Sequence, residues 1–156
     1  MEKEKAIEVL NTLITINNDR IEGYEAAAKE TEEQDLKKFF SELKQTSMHC
    51  NKELSGEVTK LGGTAAEGTK TTGKFFRVWM DVKAALTGKD RKAILNSCEY
   101  GEDMAKGTYE KALKNDAQNL STEQQTMIKA QHTLLVADHN KVKSMRDALV
   151  ESKSSI

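Results

Sequence analysis

Proline is absent from this 156-residue chain. Long helices joined by few loops can dispense with it, since an interior proline breaks a helix and most other designs use it at turns. Aromatic residues are scarce at 5%, against 31% charged, a balance that suits solvated helices better than a sheet. Cysteine occurs twice, as Cys50 and Cys98. The two form no CxxC pair, and both fall on apolar helix stripes, as buried reduced thiols do. No apolar run approaches the roughly 18 residues of a spanning helix. The opening MEKEKAIEVL is charged from its second residue, unlike a secretory leader. A cytoplasmic address with no membrane contact is therefore expected. Excess charge is lacking too: 24 basic and 25 acidic side chains leave a net −1, which gives no electrostatic footprint for nucleic acid.

What is present is helical periodicity. Ile7, Leu10, Leu13, Ile14, Ile21, Tyr24 and Ala28 recur along a first helix at about 3–31. Leu36, Phe39, Phe40, Leu43, Cys50, Leu54, Val58 and Leu61 mark a second at about 34–61, stopped by Gly62-Gly63. The low-complexity GGTAAEGTKTTGK reads as a loop. FFRVWMDVKAAL then predicts a short helix over 74–86, with Phe75, Val78, Trp79, Val82 and Leu86 on one face and Phe76 and Met80 on another. Two apolar faces imply a second contact, and a homodimer is the expected partner. A third long helix covers 89–115. Ser121, with Gln124 three residues on, signals a capping box opening a fourth helix that continues to 151. The whole chain, 1–156, reads as one all-α domain. Two antiparallel pairs with short hairpin loops, joined by a long crossover containing a short helix, make the ferritin-like variety of four-helix bundle.

A polar set interrupts the apolar stripes. YEAAAKE at 24–30 echoes YEKALKN at 109–115, and setting Tyr24 on Tyr109 places Asn17 against Glu102, each two turns upstream. Both lie close to their helix's apolar stripe, and a lone buried carboxylate needs partners. Counting across the hairpins brings His49 level with Asn17, and Gln131 or His132 level with Glu102. Glu53 stands one turn from His49, His139 two turns from His132, and Asp138 two turns from Gln131. Asn17, Gln131 and Asp138 are the candidates for a buried polar network. His49, Glu53, Glu102, His132 and His139 are the candidate metal ligands, since imidazole and carboxylate together suit zinc, iron or manganese. Gly101 and Gly107 are read as points of close helix approach, at a propensity cost of about 1 kcal/mol each.

NDRIEGYEAAA, KELSGEVTKLGGT, RVWMDVKAAL and EYGEDMAKGTYEKAL resemble an uncharacterised bacterial "domain of unknown function" family of ferritin-like four-helix bundles, distantly related to rubrerythrins and bacterioferritins. The resemblance covers most of residues 5–145. It implies the bundle fold and no established activity. Metal-handling relatives place a Glu on each of two helices and Glu-x-x-His on each of the other two. Here Thr46 precedes His49, Lys129 precedes His132, Val136 precedes His139, and Asn17 stands where the first half would need its Glu. No Glu-x-x-His occurs, so the di-iron ligand set is incomplete. No residue is assigned a catalytic role, and no cofactor is certain, iron and zinc being the candidates. The expectation is a structural or interaction bundle. The alternative is a metal-binding bundle with a mononuclear or weak iron, zinc or manganese site and a storage, sensing or stress-protection role.

Overall fold

The structure, a computed structural model, describes residues 2–67 and 91–154. Among the described residues there are four long helices and no strand: α1 (Glu2–Glu30), α2 (Gln34–Lys60), α3 (Arg91–Asn115) and α4 (Thr122–Ser154), with a 3-10 turn at Ala117–Asn119. No helix among them is long and apolar enough to cross a membrane. The helix expected over 74–86, and with it the two apolar faces from which a homodimer was inferred, lies outside the described residues.

Local chemistry explains where the helices stop and start. Gly62 takes the left-handed conformation at φ +80°. Its N–H bonds Thr59 O at 2.9 Å, and the Gly63 N–H bonds Val58 O at 3.0 Å, the paired bonds that close a helix on glycine. A side chain at Gly63 would collide with Ile7, whose Cδ1 would lie 2.8 Å from its Cβ. Ser121 and Gln124 cap α4 reciprocally: Ser121 Oγ accepts from the Gln124 N–H, and Gln124 Oε1 accepts from the Ser121 N–H, both at 3.0 Å.

Pairwise contacts set the helix directions. α1 packs along α2 and α3 along α4, with lesser α1–α3 and α2–α4 contacts. Arg20 meets Glu102 while Asn17 meets Tyr109, so α1 and α3 run antiparallel. Arg91 grips Asp35 through two bonds, of 2.6 and 3.3 Å, and reaches Glu33 at 3.3 Å. That bidentate grip pins the start of described α3 to the start of α2, and those two helices run in the same direction.

The interior is apolar at both ends and polar between. One cluster gathers Leu10, Leu13, Ile14, Leu54, Val58, Ile128 and Leu135. The other gathers Tyr24, Leu36, Phe40, Leu43, Leu95 and Val142. On α4 the buried positions are Gln124, Ile128, Gln131, Leu135, Asp138 and Val142, polar and apolar in strict alternation at helical spacing. The stripe of α1 departs from expectation. Ala6, Arg20 and Ala27 are buried where Ile7, Ile21 and Ala28 were expected, and the latter three are half-buried. The helix is turned so that Arg20 faces inward. Gly107 also departs: a Cβ there would meet nothing within 4 Å among the described residues, so it marks no close approach, whereas Gly101 is buried.

Gly107→Ala is therefore expected to raise unfolding stability by about 1 kcal/mol. Gly62→Ala, which forces a side chain into the left-handed region, is expected to lower it by about 1 kcal/mol or more. Urea unfolding of the two variants beside the parent checks both signs.

Candidate functional site

Asn17, Arg20 and Tyr24 succeed one another on the inner face of α1, three and four residues apart. Ser47 fills the gap between Leu43 and Cys50 on α2. Glu102 and Tyr109 project from α3, Gln131 and Asp138 from α4. All eight side chains are buried, and hydrogen bonds join them across the four helices.

Arg20 lies at the centre. Its Nη2 donates to Glu102 Oε1 at 2.7 Å and to Asp138 Oδ2 at 3.1 Å, and its Nη1 donates to Ser47 Oγ at 2.5 Å. Its guanidinium carbon stands 5.5 Å from the centre of the Tyr24 ring. Tyr24 donates to the same Glu102 oxygen at 2.6 Å. From Ser47 the relay continues: Ser47 donates to Asn17 Oδ1 at 2.8 Å, Asn17 Nδ2 donates to Tyr109 Oη at 2.8 Å, and Tyr109 donates to Gln131 Oε1 at 2.7 Å. Gln131 Nε2 ends the chain at Glu53 Oε1, 3.1 Å away, and at the Cys50 carbonyl, 3.4 Å away. The Ser47 and Tyr109 hydroxyls each accept once and donate once, so the proton directions along this stretch agree.

Electrostatics reinforce the arrangement. Burial alone would loosen the proton of Arg20, but Glu102, Tyr24 and Asp138 outweigh it, and the guanidinium holds its proton more tightly than usual. Burial, with Glu102 beside it, pushes the Tyr24 hydroxyl well above its ordinary value, and burial does the same to Tyr109. Burial lifts the Cys50 thiol to about 11 and the Cys98 thiol further. Neither thiol is a nucleophile near neutral pH. Glu102 Oε2 and Arg20 Nε have no hydrogen-bond partner among the described residues.

The sequence echo has a structural counterpart. Tyr24 of α1 bonds Glu102 of α3, and Tyr109 of α3 bonds Asn17 of α1. Each tyrosine thus meets the polar residue that lies two turns before the other. Asn17, Gln131 and Asp138 all take part in the central network. Arg20 and Ser47, which sequence reading passed over, belong to it as well. Spacing marks Ser47, which lies between Leu43 and Cys50 in a 4–3 rhythm; Arg20 is three residues from Asn17 and four from Tyr24, yet spacing by itself does not distinguish a buried arginine from a solvated one.

The five candidate metal ligands are not brought to one point. Glu102 is at the centre against Arg20. His49 is exposed on α2, 3.4 Å from Glu53. His132 faces Glu110 at 2.8 Å, and His139 faces Asp103 at 2.7 Å, both on the α3–α4 seam. Register explains the separation. Gln131 points inward, so its neighbour His132 points about 100° away, and Ser47 points inward, so His49, two residues on, emerges about 160° away on nearly the opposite face. Among the described residues, the His, Cys, Asp and Glu donor atoms of three or more side chains converge only at Glu99, Asp103 and His139.

Residues 5–115, comprising most of α1 and all of α2 and described α3, match the model of a protein family described as "Domain of unknown function (DUF2383)". No curated protein matches the chain.

Truncating Arg20 leaves two buried carboxylates without their cation. Arg20→Met is expected to cost about 3–5 kcal/mol in urea unfolding. The triple variant Arg20→Met/Glu102→Gln/Asp138→Asn is expected to be more stable than Arg20→Met alone, since it buries no uncompensated charge. The thiols give an independent check: in native protein at pH 8, Cys50 and Cys98 are expected to resist Ellman's reagent, and both to react once denaturant unfolds the chain.

Proposed function

The chain belongs to this family of unknown function, and we propose that it is a structural or interaction bundle of the ferritin-like kind, closed at its centre by ion pairs where metal-handling bundles keep a metal. The observation that carries this reading is the Arg20 guanidinium held between Glu102 and Asp138. In di-metal bundles, inward carboxylates from several helices share their charge with two cations. Here the inward acids share a fixed positive charge that no ordinary pH removes. A divalent ion 5 Å from that guanidinium would be repelled by about 7 kcal/mol at an effective dielectric of ~20. The histidines that could add imidazole donors stand away from this centre, His49 exposed on α2 and His132 and His139 on the α3–α4 seam. The central layer then acts on register and on the choice of one packing.

The ferritin-like connectivity has its own support. α2 and α3 run in the same direction, so the connection between them has to climb the bundle. For the 27 residues of α2 that is about 40 Å at 1.5 Å per residue. The described start of that connection already turns back along α1. Gly63 lies against Ile7. Asn11 then bonds Thr64 O at 3.1 Å and the Ala66 N–H at 2.8 Å, and Asn18 Nδ2 bonds Ala66 O at 3.3 Å.

Aerobic addition of ferrous iron tests this. Iron is expected to oxidise no faster with the purified protein than in buffer, and Glu102→Gln is expected to leave metal binding unchanged. Catalysed oxidation, or iron binding lost in Glu102→Gln, would overturn the reading.

A further inference from the structure

Outside the central layer, α4 carries His132, His139 and Arg146 at intervals of seven, a stripe that faces α3. Each meets an acid there: His132 meets Glu110, His139 meets Asp103 and Glu99, and Arg146 meets Glu99. The middle position differs from its neighbours. His139 Nε2 lies 2.7 Å from Asp103 Oδ1 and 3.9 Å from Glu99 Oε1, and the donor atoms of the three residues lie within 4.8 Å of one another. From this geometry we propose that Glu99, Asp103 and His139 form a binding site for one divalent transition cation, zinc-like in its ligand preference, on the α3–α4 seam.

Several features distinguish this place from a solvated pair of acids. Its third donor is an imidazole nitrogen, which favours a transition metal over calcium or magnesium. Two turns of α3 present the carboxylates one above the other, four residues apart, and the histidine comes from the other helix, so a bound ion would bridge both. His139 and Glu99 are 13% and 18% exposed, which reduces screening, while Asp103 at 52% leaves an approach from solvent. The spacing also suits the ion. Tetrahedral ligands at about 2.1 Å from zinc stand about 3.4 Å apart. The Asp103–His139 distance of 2.7 Å has to open by about 0.7 Å, and the Glu99–His139 distance of 3.9 Å to close by about 0.5 Å, within reach of side-chain torsions. Arg146 contacts the other oxygen of Glu99, Oε2, and leaves Oε1 on the His139 side; its guanidinium opposes a cation too, but at 25% exposure it is screened by solvent as the buried Arg20 is not. Water completes the coordination, as at other three-ligand sites. Among the described residues, His132–Glu110 and His49–Glu53 are two-donor contacts without a third ligand.

Tag-free full-length protein, stripped with chelator and dialysed, is titrated with zinc by calorimetry and with cobalt(II) by visible absorption. One cation per chain is expected. Asp103→Asn, an exposed change that leaves the fold intact, and His139→Gln are each expected to weaken binding about tenfold or more. His132→Gln and Glu102→Gln are expected to leave it unchanged. Absence of stoichiometric binding, or binding that Asp103→Asn does not weaken, overturns the site. Binding that depends on Glu102 instead would overturn both this site and the metal-free centre proposed above, whereas loss of this site alone leaves that centre standing.

Discussion

A single guanidinium, buried where four helices meet, governs how this bundle is assembled. Removing an arginine and two carboxylates from water costs several kcal/mol for each ion. The cost is offset only if the partners arrive with the right geometry. Arg20 finds one on each of the other three helices: Ser47 on α2, Glu102 on α3 and Asp138 on α4. A slip of one residue in any helix would swing its partner about 100° out of reach and strand a buried charge. Apolar residues above and below tolerate slippage far better, since one aliphatic contact resembles another. The polar layer therefore selects one register among the several that a hydrophobic core would allow.

The relay of neutral groups extends that selection beyond the ions. Ser47, Asn17, Tyr109 and Gln131 form a chain of hydrogen bonds of 2.7–2.8 Å, through all four helices. The crossed pairs Tyr24–Glu102 and Asn17–Tyr109 give the two halves of the molecule an approximate two-fold relation. The relation is broken at the polar residue itself, an amide in one half and an acid in the other. That asymmetry fits the single cation: Arg20 needs Glu102, and a second acid in place of Asn17 would have no guanidinium of its own. α4, which lies beyond the residues matched by the family, supplies Gln131 and Asp138, and the central layer is incomplete without it.

The four long helices, the end of α2 and the start of α4 were legible in the sequence because local chemistry decides them. Gly62 stops α2, Ser121 and Gln124 open α4, and the apolar spacing of α2 matches its buried face from Leu36 to Val58. The inward acid Glu102 was legible as well, since it interrupts an otherwise apolar stripe. Arg20 was not. An arginine beside Ile21 reads as the solvated neighbour of a core residue, and only the acids brought opposite it make burial favourable. The same blindness affected the histidines. Counting residues across a hairpin estimates height along the bundle, yet the side on which a residue emerges depends on helix rotation, which the inward turn of Arg20 helps to set.

The sequence by itself determined the four long helices of the described residues, the stop of α2, the cap of α4 and the presence of a polar layer. Those features follow from periodicity and from interactions between residues a few positions apart. The tertiary structure alone decided the content of that layer: that Glu102 would meet a guanidinium, that His49 and His132 would face outward, and that Glu99, Asp103 and His139 would converge on a seam. Each of these depends on the free energy of charges brought together from different helices, and residues 82 and 118 positions apart, as Glu102 and Asp138 are from Arg20, leave no local mark of their pairing.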